Sequence, residues 1–145
     1  MLVEPLAVGA EFSRWPLHIT IVPWFRLDET SAVIASGLTQ ALNRIDPFMV
    51  AGDGEAMFGP KKTRRVRLLE QSTPLEGIEV KVRNYLHKKH AWLVDETTKN
   101  HYDFRPHVTE QGGEFLPAGG TFTCSTLSII EQLGGKKRVA SEVQL

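Results

Sequence analysis

The sequence predicts an α+β fold of roughly seven short strands and two helices, forming one domain over residues 1–145. Three observations carry that expectation. Two segments repeat apolar residues at three- and four-residue steps, several others alternate apolar with polar or β-branched residues, and Gly and Pro punctuate the spaces between them. A chain of 145 residues, 41% apolar and 23% charged, holds enough apolar surface for one core, and its charge is too modest for a disordered chain.

Taken in order, Leu2–Val8 reads as a short edge strand interrupted by Pro5. Gly9–Trp15 reads as a loop into Leu17–Val22, where Leu17, Ile19 and Ile21 alternate with His18, Thr20 and Val22. Val33, Ile34, Gly37, Leu38, Ala41, Leu42 and Ile45 then form one apolar helical stripe, with Asp28 as candidate cap and Pro47 as the stop. Strands are expected at Phe48–Ala51 and Arg64–Glu70, joined by a glycine-bearing loop ending in Gly59-Pro-Lys-Lys62. Thr73-Pro-Leu-Glu76 announces the second helix as a capping box, with Leu75, Ile78, Val82, Tyr85 and Leu86 inside and a Glu79–Arg83 pair outside. After Trp92–Val94 and a polar loop at 95–100, Arg105–Gln111 reads as a strand. Thr121–Glu131 and Arg138–Leu145 close the chain as a hairpin around Gly134-Gly135.

Composition excludes several function classes. Seventeen basic residues balance seventeen acidic ones, so no global positive field holds long nucleic acid, and no stable DNA partner is implied. The single cysteine, Cys124, can form neither an internal disulfide nor, alone, a structural zinc site, and is expected to pack quietly in a strand. No apolar run approaches the roughly 20 residues that span a bilayer, and the first residues lack a secretory pattern. The expectation is a cytoplasmic monomer with no membrane partner and no cofactor.

The chemistry-bearing feature is a recurrence. His18-Ile19-Thr20-Ile21 and His107-Val108-Thr109-Glu110 stand 89 positions apart, each on a segment of strand spacing. Residues i and i+2 of a strand share a face, so each imidazole stands beside its own hydroxyl while Ile19 and Val108 point into apolar packing. Two such strands facing one another make a pocket of two imidazoles and two hydroxyls. That set suits displacement at phosphorus without metal. One imidazole takes the nucleophile's proton, the other protonates the departing oxygen, and the hydroxyls donate to the non-bridging oxygens.

On Pro16-Leu-His-Ile-Thr-Ile21 and Arg105-Pro-His-Val-Thr109, with the intervening helix and the chain's size, the sequence resembles the two-histidine phosphoesterase superfamily. That superfamily includes the bacterial 2′-5′ RNA ligase-like proteins and the cyclic phosphodiesterases. The resemblance implies a bilobal α+β fold in which each lobe gives one His-x-Thr strand to a central groove. It implies His18 and His107 as the catalytic pair and Thr20 and Thr109 as phosphate ligands, acting without metal on 2′,3′-cyclic phosphates, 2′-5′ linkages or cyclic nucleotides. Two departures stand out: Glu110 replaces the apolar residue usual after the second motif, and the chain is short for the RNA-processing members.

Around this core the residues offer further candidates. Arg105 shares a face with His107 and Thr109 and is the best single contact for substrate phosphate. In Lys61-Lys-Thr-Arg-Arg65-Val-Arg67, alternation puts Arg65 and Arg67 on one face, from which either could draw phosphates to the groove. Trp24 and Tyr102, among the aromatics flanking the motifs with Trp15 and Phe104, could stack on a base, and His101 could line the groove. His87-x-x-His90 has metal spacing without carboxylates or thiols to complete a set, and fits a solvated helix end. The expected partner is a nucleotide or RNA terminus. The leading expectation is hydrolysis of a small or terminal phosphodiester. Its rivals are 2′-5′ joining or cleavage, cleavage of cyclic oligonucleotides, and a non-catalytic nucleotide- or RNA-binding module.

Overall fold

The computed structural model describes residues 1–94 and 104–145; Tyr102 and His101 fall outside them. Among the described residues the fold is α+β, with two helices and antiparallel sheets. The strands are β1 (Glu11–Phe12), β2 (Phe25–Arg26), β3 (Phe48–Phe58), β4 (Arg64–Leu69), β5 (Trp92–Leu93), β6 (His107–Thr109), β7 (Thr121–Cys124), β8 (Thr126–Leu133) and β9 (Lys136–Gln144). Helices α1 (Ser31–Leu42) and α2 (Thr73–Lys88) lie between β2 and β3 and between β4 and β5.

Each helix starts one or two residues away from the expected cap. Thr30, not Asp28, caps α1, its Oγ1 accepting from the Val33 N–H at 3.4 Å. Ser72, not Thr73, caps α2 by accepting from Leu75 N–H at 3.4 Å, which leaves Pro74 in the first turn, where its missing N–H costs no bond. The buried stripes are Ile34, Leu38 and Leu42 on α1 and Leu75, Ile78, Val82 and Leu86 on α2. Val33 is exposed, and Ile45 lies past the end of α1. Glu79 is not on the outside. It is buried, and its Oε1 accepts from Arg83 Nε at 2.7 Å, a charged partner that makes its burial tolerable. Gly37 lets the helices meet, because a Cβ there would fall on the Tyr85 ring.

The sheets form an order β6-β4-β3-β7, a three-stranded β1-β9-β8 and a two-stranded β2-β5 ribbon. Strand β3 runs far beyond Ala51, through a register shift between Gly52 and Glu55. Gly52 is required there, since a Cβ would stand 2.7 Å from the Pro117 carbonyl oxygen. The expected strand at Thr121–Glu131 is two strands. β7 pairs with β3, the chain breaks at Ser125, and β8 pairs with β9 in another sheet. The β8–β9 hairpin turns through Gly134 and Gly135 as expected, with Gly134 at φ 60°. Residues expected as a strand at Leu2–Val8 make only a bridge from Leu2 to His18, while Glu11–Phe12, expected as loop, pairs with Lys137–Arg138. Leu17–Val22 is likewise held by isolated bridges, Leu2 to His18 and Ile19 to Val108. The core gathers Ile19, Ile21 and Val108 with the helix stripes, Val50, Leu69, Leu93, Leu127 and Val143. No helix among the described residues is long and apolar enough to cross a membrane.

Candidate active site

The antiparallel bridge from Ile19 to Val108 builds the site. Both side chains are buried, 1% and 0% exposed, and turn inward together. Antiparallel pairing then sets His18 against Thr109 and Thr20 against His107, all four on the other face. The segment carrying His18 is fixed on its far side by the chain start: Ile19 N–H donates to Met1 O at 2.8 Å and Val3 N–H to Leu17 O at 2.9 Å. On the other flank β6 pairs with β4, placing Leu68 opposite His107 and Val66 opposite Thr109.

The two imidazoles are tethered in the same way. His18 Nδ1–H donates to Pro16 O at 2.8 Å, and His107 Nδ1–H donates to Arg105 O at 2.7 Å. A carbonyl only accepts, so each Nδ1 carries the proton and each Nε2 keeps its lone pair when the ring is neutral. Each ring also meets an aromatic. Trp15 stacks on His18 with centroids 4.4 Å apart at 28°, and Phe58 meets His107 edge-on at 4.8 Å and 68°. Each aromatic in turn carries a cation: Lys137 Nζ lies 5.3 Å from the Trp15 ring and the Arg105 guanidinium 5.2 Å from Phe58. Burial pushes the His18 imidazole below the usual histidine range. Its bond to Pro16 O opposes that shift, while the Met1 ammonium and the neighbouring His107 reinforce it.

The structure thus brings His18, Thr20, His107, Thr109 and Arg105 to one face. It turns Arg65 and Arg67 away. Arg67 is opposite Val108, so both arginines occupy the face opposite the histidines, and the expectation that they reach the groove is corrected. Arg67 is 8% exposed and donates to Leu116 O at 3.0 Å and Asp53 O at 2.8 Å. Arg65 forks onto Glu55 at 2.7 and 2.9 Å and lies 4.0 Å from the Phe115 ring. Glu110 faces Arg65 at 3.8 Å, so the departure after the second motif sits outside the histidine face. Trp24 is exposed and lies 6.3 Å from Trp15. Sequence reasoning missed Phe58 and Lys137, which reach the site only through pairings of remote strands, and named Trp15 as a flanking aromatic without giving it a role, its signal being its place three residues before His18. Among the described residues no three His, Cys, Asp or Glu side chains gather to hold a metal ion.

A family model, described as the 2′-5′ RNA ligase superfamily, matches residues 6–112, a span holding both His-x-Thr motifs. The chain belongs to the 2′-5′ RNA ligase superfamily. These are the two-histidine phosphoesterases. No curated protein and no solved structure matches the chain. The superfamily match ends before β7, so Lys137 on β9 lies outside it.

Proposed function

We propose that this 2′-5′ RNA ligase superfamily member is a phosphodiesterase that opens a small or terminal phosphodiester, such as a 2′,3′-cyclic phosphate on a nucleotide or RNA end. The observation that carries the reading is the Ile19–Val108 bridge, which sets two Nδ1-tethered imidazoles beside two threonines on one face. In this reading the two halves act as lobes, each lending one motif to a shared groove.

His18, held toward its neutral form, is the base: its Nε2 takes a proton from water as the water oxygen bonds to phosphorus. His107, entering protonated, gives its Nε2 proton to the ring oxygen as that P–O bond breaks, leaving a phosphomonoester. The next cycle begins when His18 releases its proton to solvent and His107 takes one up. Thr20 and Thr109 hydroxyls donate to the non-bridging oxygens where charge gathers, and the Arg105 guanidinium neutralises the phosphate from the rim. Two imidazoles supply both proton transfers, so the step asks nothing of a metal ion.

The test is to incubate the purified protein, with chelator present, against 2′,3′-cyclic nucleotides, 2′-5′ dinucleotides and cyclic dinucleotides, and to identify the products. Conversion of the cyclic phosphate to one monoester regioisomer is expected. Turnover confined to 2′-5′ linkages or cyclic dinucleotides would replace the substrate while keeping the acid–base pair. Full turnover by folded His18→Ala or His107→Ala protein would remove the mechanism.

A further inference from the structure

The three tryptophans of the chain, Trp15, Trp24 and Trp92, form a line of ring and ribbon contacts that starts at His18. Trp15 stacks on His18, and Trp24 follows at 6.3 Å from Trp15. Trp24 starts the short β2–β5 ribbon, where Val94 N–H donates to Trp24 O at 3.0 Å, Phe25 pairs with Leu93 and Arg26 with Trp92. Alternation sends Phe25 and Leu93 into the core and leaves Trp24, Arg26 and Trp92 on the outer face. The two outer indoles are 44% and 46% exposed. The Arg26 guanidinium lies 5.6 Å from the Trp92 ring centroid.

Next to Trp92 the surface sinks into a hollow of about 520 Å³ between the start of α1 and the end of α2. Arg26, Asp28, Lys89 and His90 line it, with Glu29 held by Lys89 Nζ at 2.8 Å, so Arg26 is the cation nearest the outer indoles. The core does not need these indoles, because the ribbon's inner face already closes it. A little under half of each indole stays in water, and adjacent exposed aromatic surface of this kind favours a partner that covers it. A planar arginine beside them adds a second stacking surface and a charge for phosphate.

We propose that the outer face of the β2–β5 ribbon is a track for single-stranded RNA, on which bases next to the reacting phosphate stack on Trp24 and Trp92 while Arg26 contacts the backbone between them. The inference rests on the phosphoester reading of the histidine face and adds to it that the preferred substrate is an oligonucleotide end, several nucleotides long. Continuity is the reason for choosing RNA over a protein partner. The line begins at the ring stacked on His18, and exposed aromatics interleaved with arginine are the chemistry that binds unpaired bases without regard to sequence.

The experiment uses two readouts on the whole protein. Intrinsic tryptophan fluorescence, which comes wholly from this line, is titrated with an unreactive single-stranded RNA hexamer ending in a 3′-hydroxyl. Separately, KM is compared between a 2′,3′-cyclic mononucleotide and a hexamer ending in the same group. Saturable quenching is expected, with a hexamer KM at least about tenfold lower than that of the mononucleotide. Trp92→Ala should abolish that length advantage, Trp92→Phe should keep most of it, and Val80→Ala, an exposed apolar position on α2, should keep all of it. A hexamer that neither quenches nor outcompetes the mononucleotide would overturn the track, as would an unaltered length advantage in Trp92→Ala. Fluorescence that changes only with protein concentration would overturn it too, assigning the face to a second copy of the chain. Quenching without turnover of any diester would leave the track standing and remove the phosphodiesterase, whereas turnover of mononucleotides with no length dependence would do the reverse.

Discussion

His18 and His107 are each anchored through Nδ1 to the backbone carbonyl two residues earlier, at 2.8 and 2.7 Å, although 89 positions separate them. The shared tether leaves Nε2 as the nitrogen each ring can offer to a ligand. It also makes the site's behaviour under substitution specific enough to test.

Replacing either imidazole with alanine should lower kcat on a 2′,3′-cyclic nucleotide by about 10²–10⁴-fold, the usual reach of a positioned acid or base. The double variant should fall little further, because acid and base serve one concerted step. Circular dichroism should be unchanged, since both rings are only half-buried.

The acidic limb of the pH–kcat/KM profile should lie below the ordinary histidine value of about 6.5, because burial keeps His18 neutral. The same shift has a stability consequence. With the folded-state value lowered, His18's contribution is complete above its unfolded value and is lost as pH falls through that value toward the folded one. Denaturant midpoints measured across that window should drop as pH drops, and His18→Ala should remove part of the dependence, leaving the part due to the buried Met1 ammonium, which burial lowers to about 6.

Trp15→Leu should keep the Nδ1 tether and remove the stacking plane. Water then reaches the imidazole, so the acidic limb should move up toward the ordinary histidine value, with kcat down about tenfold from looser ring placement. An unmoved limb would show that Trp15 does not set the environment of His18.

Arg67→Met should cost stability, not substrate affinity. It strands the carbonyls of Leu116 and Asp53, which now accept from a buried guanidinium, and a loss of about 2 kcal/mol is expected by denaturant unfolding. The dependence of KM on salt should match the parent's, since Arg67 lies opposite the histidine face.

Cys124 is 2% exposed, and burial pushes its thiol up to about 11. Native protein should resist alkylation at neutral pH and react readily once unfolded, read by mass shift.

The sequence made the helices and the chemical pair legible for physical reasons. Apolar residues at helical steps have few alternatives, and His-x-Thr on β-branched segments fixes which side chains share a face. Cap positions slipped because Thr30 and Ser72 are as competent as the residues near them. The continuation of β3 past Ala51 was hidden because Gly52-Asp53-Gly54 breaks alternation, and Gly52 was needed there for the approach of Pro117, not for a turn. The division at Ser125 leaves no mark, since β7 and β8 differ only in which sheet they join. Arg65 and Arg67 were correctly placed on one face, but which face depends on the register with Val108, a partner more than 40 positions away. Phe58 and Lys137 depend on such long-range pairing entirely.

A main-chain acceptor gives the tethers an unusual resilience. Where a carboxylate orients an imidazole, one codon change can delete it. The oxygens of Pro16 and Arg105 persist whatever side chains stand at those positions. Under the proposed function, drift at residue 105 would alter affinity for substrate while ring orientation is inherited intact, so ligand preference and proton transfer would evolve separately on this scaffold.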